Sequence, residues 1–150
     1  MKQLSKYVFE VLKNDLDFIP NDETDLAILI NRLIKKRGNE ADLNDIDTSK
    51  ITNMKDLFNG TDFDGNISDW DVSNVTNMYG MFANSKFSGK NSDLSNWDAS
   101  NVENMAIMFS NSKYDKKEDL ENWDISNIEK SYWMFDESLL EKDPPKWYKK

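Results

Sequence analysis

The sequence predicts an α/β fold: a short right-handed solenoid with a parallel sheet of about four strands and short helices, preceded by an N-terminal two-helix cap. Three observations predict it. A Phe recurs at 58, 82, 109 and 135, in steps of 24, 27 and 26. A similar string precedes each of these Phe residues. The residues ahead of the first string have apolar side chains at helical spacing. A chain of 150 residues suffices for one domain with a real core. The expected divisions are a cap over 1–40, four repeats over 41–138 and a C-terminal cap over 139–150.

In the cap, Leu4, Tyr7, Val8, Val11 and Leu12 share one helical face. Pro20 and Asn21 break the chain. A second helix is expected from about Glu23 to Arg37. It starts with Asp22, Glu23 and Asp25 and ends with Lys35, Lys36 and Arg37, the order that suits the helix dipole, and Gly38 stops it.

The repeats come next. Ile67-Ser-Asp-Trp70-Asp71-Val72-Ser73-Asn-Val75-Thr-Asn-Met78-Tyr-Gly-Met81-Phe82 aligns with the segments Leu43–Phe58, Leu94–Phe109 and Leu120–Phe135. The start of each fits L-x-x-L-x-L, with Trp70, Trp97 and Trp123 in the middle slot. This pattern and a period of ~20–29 residues point to leucine-rich-type repeats. Ile67, Trp70 and Val72 point inward, as do Leu94, Trp97 and Ala99. Ser49, Ser73, Ser100 and Ser126 are expected N-caps, with Glu103 and Glu129 completing capping boxes. Val75, Met78 and Phe82, like Val102, Met105 and Phe109, then have helical spacing. Leu139, Leu140, Trp147 and Tyr148 are expected to close the far end.

The string Trp-Asp-x-Ser-Asn-Val-x-Asn-Met-x-x-Met-Phe resembles the BspA-like leucine-rich repeat of bacterial and phage-borne proteins. The resemblance covers about residues 41–138. The outer repeats depart from it, with Ile46 for Trp, Leu57 for Met and Ser131 for Met. It implies adhesion or protein binding, often at a cell surface, and no shared catalytic residue.

Composition narrows the function. The chain has 19 basic and 28 acidic side chains, a net charge of −9, and neither His nor Cys. Disulfides, thiolate nucleophiles, Cys/His zinc sites and histidine-based triads are excluded. Direct binding to a phosphate backbone needs a basic surface, which this charge argues against. The mean hydropathy of −0.77 lies near the disordered class, but 12% aromatic residues in a regular repeat argue for a folded core. No apolar run is long enough to span a membrane and no signal peptide is evident, so a cytoplasmic location is expected.

The charge is uneven. Residues 1–40 hold seven basic and seven acidic side chains, and residues 41–150 hold 12 and 21. The outward positions beside the central Ile or Trp are Asp45 and Asp47, Asp69 and Asp71, Asn96 and Asp98, and Asn122 and Asp124. Together they make an acidic strip. One reading is structural: the Asp of Asp-x-Ser forms an Asx-turn. The other is a docking surface for a basic partner. A calcium loop at Asp62-Phe-Asp64-Gly-Asn66 fits poorly, because Ile67 stands where such a loop needs Gly. A second candidate surface comprises Tyr79, Ile107, Tyr132 and Trp133, read either as an interface or as cover for the end of the core.

The expected function is a non-enzymatic protein-interaction module that binds a macromolecular partner through the acidic strip, with no cofactor or metal. The expected partner is a protein or ribonucleoprotein with a basic surface, and the free chain is expected to be a monomer. Two alternatives stand beside it: a phage or mobile-element inhibitor of a host defence complex, of anti-CRISPR type, and a surface adhesion-type repeat protein.

Overall fold

The computed structural model describes residues 18–149. Helix α1 runs over Glu23–Arg37. Its N-cap is Asp22, whose carboxylate accepts the Asp25 N–H at 2.9 Å, and Gly38 ends it with a φ of 92°. Leu26, Leu29, Ile30 and Leu33 line its buried stripe and join the core of the repeats. Helix α2 is a single turn, Lys117–Leu120, in the connection to the fourth repeat. The expected cap helix carrying Leu4, Tyr7, Val8, Val11 and Leu12 lies outside the described residues.

The repeats stack in parallel register, but not as a sheet backed by helices. Among the described residues no strand forms. The pairing consists of isolated parallel bridges such as Asn53 to Asn77, Asn77 to Asn104 and Asn104 to Lys130. The expected four-strand sheet and the helices of the repeats are thus corrected to a column of stacked turns, and of the expected two-helix cap the described residues hold α1.

The reason is local. In each of the first three repeats, three side chains form Asx-turns at steps of five and six residues: Asp42, Asp47 and Asn53, then Asn66, Asp71 and Asn77, then Asp93, Asp98 and Asn104. Each accepts the N–H two residues on, which bends the chain before a strand or helix can extend. The supposed strand around Trp70 instead contains turns closed by Trp70 N–H to the Ile67 carbonyl (3.3 Å) and Val75 N–H to the Val72 carbonyl (2.9 Å). Ser73 caps no helix; its N–H and hydroxyl both donate to Asp71.

The Met-x-x-Met-Phe segments form the rungs 53–60, 77–84, 104–111 and 130–137. Alternate N–H groups of one rung donate to carbonyls of the next: Met54 to Asn77, Asp56 to Tyr79, Phe58 to Met81 and Gly60 to Ala83, at 2.8–2.9 Å. The remaining N–H groups close turns inside the rung, such as Leu57 to Met54 and Asn59 to Asp56. This winding puts the third and seventh residues after the bridging position in the left-handed region: Asp56 and Gly60, Gly80 and Asn84, Ile107 and Asn111, Trp133 and Glu137. Gly80, with a φ of 59°, is also a close approach, because a Cβ there would strike the Asp56 carboxylate.

Two aromatic columns fill the interior. Phe58, Phe82, Phe109 and Phe135 stack with centroids 5.6, 5.4 and 5.8 Å apart. Phe63, Phe87 and Tyr114 stack beside them at 6.3 and 5.7 Å. Offset stacking adds to the burial of each ring. Trp70, Trp97 and Trp123 are buried and Trp147 is half-buried, and each indole N–H donates one repeat back: Trp70 to the Leu43 carbonyl, Trp97 to Ile67, Trp123 to Leu94 and Trp147 to Leu120. At the far end Tyr148 packs edge-on against Phe135 with centroids 5.0 Å apart, and Leu140 is buried. Leu139, expected in the same cap, is exposed.

Candidate functional site

The eight outward positions of the acidic strip, Asp45, Asp47, Asp69, Asp71, Asn96, Asp98, Asn122 and Asp124, are all exposed. The inward Ile or Trp between each pair holds them there. Their roles divide into two sets.

Asp47, Asp71, Asp98 and Asp124 are the Asx-turn residues. Their Oδ1 atoms accept the N–H of Ser49, Ser73, Ser100 and Ser126 at 3.0–3.1 Å. Ser73 and Ser100 add hydroxyl bonds of 2.6 Å. The Ser hydroxyls and amides hold Asp47 and Asp98 below the usual carboxylate range, and the Ser126 amide leads the same effect on Asp124. Asp47, Asp98 and Asp124 are thereby held ionised at neutral pH, and with Asp71 they form an exposed row. The charge of Asp124 weakly opposes the ionisation of Asp98.

Asp45, Asp69, Asn96 and Asn122 lie outside the turns. Asp45 is not free: Arg37 at the end of α1 grips it with two bonds of 2.9 and 2.7 Å, and this guanidinium lowers its pKa. Arg37 also reaches the Asp42 carbonyl and lies over the Phe18 ring. The side chains of Asp69, Asn96 and Asn122 make no bond among the described residues. The strip is therefore partly neutralised at its α1 end and open beyond it.

The second candidate surface is split. Tyr79 and Ile107 are half-buried, whereas Tyr132 is 49% and Trp133 61% exposed. Trp133 does not fold over the end of the core beside Ser131. It meets Tyr132 edge-on, with centroids 5.2 Å apart. These residues lie on rungs of turns, and Ile107 and Trp133 occupy left-handed positions that are costly for a branched or bulky side chain.

Two features were missed in the sequence. Asn74, Asn101 and Asn127, each following the turn Ser, donate one repeat back to the carbonyls of Ser49, Ser73 and Ser100. The inner column Phe63, Phe87 and Tyr114 follows each repeat Phe by five residues, a spacing present in the sequence. Burial and the nearby Asp119 carboxylate push the Tyr114 hydroxyl far above its ordinary pKa, and it donates to that carboxylate at 3.1 Å. Its place is structural.

Glu103 and Glu129, expected in capping boxes, instead line a polar cleft of about 270 Å³ with Thr76, Asn77, Asn104 and Lys130. Among the described residues no grouping of acidic side chains has the arrangement of a metal site. None of the described helices is long and apolar enough to cross a membrane.

No curated protein and no solved structure matches the chain significantly. A family model matches residues 29–147, the stretch that holds most of α1 and all four rungs. That family is related to the BspA-like repeat proteins. Its description names mycoplasmas and lends nothing to the expectation of a phage-borne or anti-CRISPR inhibitor. The chain belongs to the family described as "Mycoplasma protein of unknown function, DUF285".

Proposed function

We propose that the chain is a non-enzymatic interaction module that docks a basic surface of a protein or ribonucleoprotein on its acidic strip. The observation that supports this reading is the state of Asp69, Asn96 and Asn122. They are exposed, in register along the stack, and unused by the fold among the described residues. Beside them the turn residues Asp71, Asp98 and Asp124 supply a row of carboxylates held in fixed geometry. A rigid row of like charge steers a basic partner and sets its register, and its attraction is screened over ~8 Å at physiological ionic strength.

The test is a triple variant, Asp69→Lys, Asn96→Lys and Asn122→Lys. It leaves the Asx-turns and the Arg37–Asp45 pair intact, so the thermal melt should stay within a few degrees of the parent. Captured material from nuclease-treated and untreated lysates is compared with that of the parent at low and high salt. The expected result is loss of the salt-sensitive partners. An unchanged set of partners, held with unchanged salt dependence, would refute the strip as the docking surface.

A further inference from the structure

Twice the fold seats a cation on an aromatic ring at its surface. Arg37 lies over Phe18, its Cζ 5.6 Å from the ring centre, while its fork holds the Asp45 carboxylate. The Lys55 ammonium lies 5.4 Å from the centre of the Tyr79 ring. Tyr132 takes the position of Tyr79 two repeats further along, with Trp133 beside it. Both rings are exposed, and they meet edge to face at 83°. Among the described residues no Lys or Arg lies over either of them.

The backbone marks the pair out. Trp133 has a φ of 54°, in the left-handed region. Asp56, Gly60, Gly80, Asn84 and Asn111 fill other left-handed positions of the rungs with residue types that tolerate them. A Trp there carries strain, and its ring, left in water, gains little burial in exchange. Strain that the fold's own contacts do not explain gathers at binding sites. The charge around the pair is negative. Asp136 closes a turn on Trp133, its N–H donating to the Trp133 carbonyl at 3.3 Å, and Glu137 follows, exposed. Glu129 precedes the pair, exposed and next to Lys130. The side chains of Glu129, Asp136 and Glu137 make no bond among the described residues.

We propose that Tyr132 and Trp133 seat an arginine side chain of a basic protein, its guanidinium flat on an exposed ring face and its fork turned to the carboxylates of Asp136 and Glu137. The charge selects this occupant. An apolar partner would strip water from those carboxylates without replacing it. A second copy of the chain brings like charge, since each carries −9. Between the two side-chain cations, an open pair of rings favours guanidinium. It is planar and more weakly hydrated than an ammonium, so it stacks on a ring and bonds a carboxylate at once. Arg37 does both with Phe18 and Asp45. The inference concerns the rung face and holds with or without docking on the acidic strip.

Peptide titration of the isotope-labelled chain, followed by NMR, tests it. The probe is acetylated, amidated Gly-Gly-Arg-Gly-Gly, with matched peptides carrying citrulline or lysine in place of arginine. The Trp133 indole N–H signal is identified as the one that disappears in Trp133→Gly. It should shift saturably with the arginine peptide. Citrulline keeps the shape without the charge, and its peptide should bind at least about tenfold more weakly. The lysine peptide should also bind more weakly. Asp136→Asn combined with Glu137→Gln removes carboxylates that bond nothing among the described residues, so this variant should melt like the parent. It should lose about tenfold in affinity for the arginine peptide. The proposal is overturned if the arginine peptide leaves the Trp133 signal in place. It is equally overturned if the citrulline or lysine peptide binds as tightly, or if the double variant binds like the parent. A shift that grows with chain concentration in the absence of peptide would give the seat to a second copy and overturn it too. The amide signals of Asp71, Asp98 and Asp124 report the acidic strip separately, so failure at one face is distinguished from failure at the other.

Discussion

The side-chain amide of Asn101 donates to the main-chain carbonyl of Ser73, 2.7 Å away and one repeat back. Asn74 to Ser49 and Asn127 to Ser100 repeat the bond at 2.8 and 2.7 Å. All three Asn residues are exposed, so burial gives no hint of their work. They do along the Ser-Asn edge what backbone bonds do along the rungs. Asn101→Ala is expected to cost ~1 kcal/mol, the usual net worth of such a bond. For a domain of this size that lowers the melting temperature by about 2–4 °C. Asn101→Asp should cost more, since a carboxylate would then face the Ser73 carbonyl. Thermal melts of the two variants decide the matter, and an unchanged Asn101→Ala would remove the Asn row from the list of stabilising contacts.

Trp97 carries a larger load. It is 4% exposed, donates to the Ile67 carbonyl at 3.3 Å and stacks on Trp123 with centroids 6.3 Å apart. Truncating a large core aromatic costs ~3–5 kcal/mol. Total stability for a small domain is ~5–15 kcal/mol. Trp97→Ala is therefore expected to leave the chain unfolded or nearly so at 37 °C. Trp97→Phe keeps most of the packing but loses the indole bond to the Ile67 carbonyl, which keeps its bond from the Trp70 N–H, and should fall between the parent and Trp97→Ala. A Trp97→Ala protein that melts like the parent would show that the stack tolerates a gap at its centre.

The inward residues were legible because they recur: Trp70, Trp97 and Phe82 are buried where the repeat alignment puts them. Helix α1 was legible because Asp22, the charge order and Gly38 all agree. The helices expected after Ser73 and Ser100 were not real, for a reason that periodicity cannot see. Val75, Met78 and Phe82 recur at steps of three and four, which fits a helix, but consecutive turns with a left-handed residue at every fourth position bury the same residues. The Gly80–Asn84 spacing, echoed by Gly60 and Asn111, was the available signal for turns. The turn-holding role of Asp71 and Asp98 could be read from Asp-x-Ser. The grip of Arg37 on Asp45 joins the helix end to the first repeat, and depends on how α1 docks.

Left-handed positions give a paired prediction of opposite sign. At Gly80 an Ala pays the left-handed penalty of ~1–2 kcal/mol and also strikes the Asp56 carboxylate, so Gly80→Ala should destabilise by at least that amount. At Trp133 the penalty is already present and the ring is exposed. Trp133→Gly removes the penalty but gives the unfolded chain more freedom, worth ~0.5–1 kcal/mol in the other direction. The net expectation is neutral to about 1 kcal/mol stabilising. Denaturant midpoints at matched slope measure both. Equal losses in the two variants would contradict the winding of the rungs.

Acid should unfold the protein through the same Asp residues that shape it. Asp45 is held below its ordinary value of 3.8 first by its bonds to Arg37. Asp47, Asp93 and Asp98 are lowered by the hydroxyls and amides of Ser49, Ser95 and Ser100, and Asp124 mainly by the amide of Ser126. A carboxyl whose folded pKa is depressed stabilises the fold above its unfolded pKa. That contribution is lost as pH falls through the folded value. Stability should thus be flat from neutral pH down to about 5 and decline below about 4. Relief of repulsion within a chain of net charge −9 acts in the opposite sense on acidification, so the decline measures the excess of the turn and ion-pair bonds over that relief. Two variants separate the sources. Asp45→Asn removes the Arg37 contribution and leaves the turns. Asp98→Asn keeps an Asx-turn acceptor but removes its charge. Each should be less stable than the parent at pH 7 and should lose less on titration to pH 3. Urea unfolding at a series of pH values reads this directly. A parent whose stability rises steadily from pH 5 to pH 3 would show that charge repulsion along the strip outweighs the bonds that hold it in place.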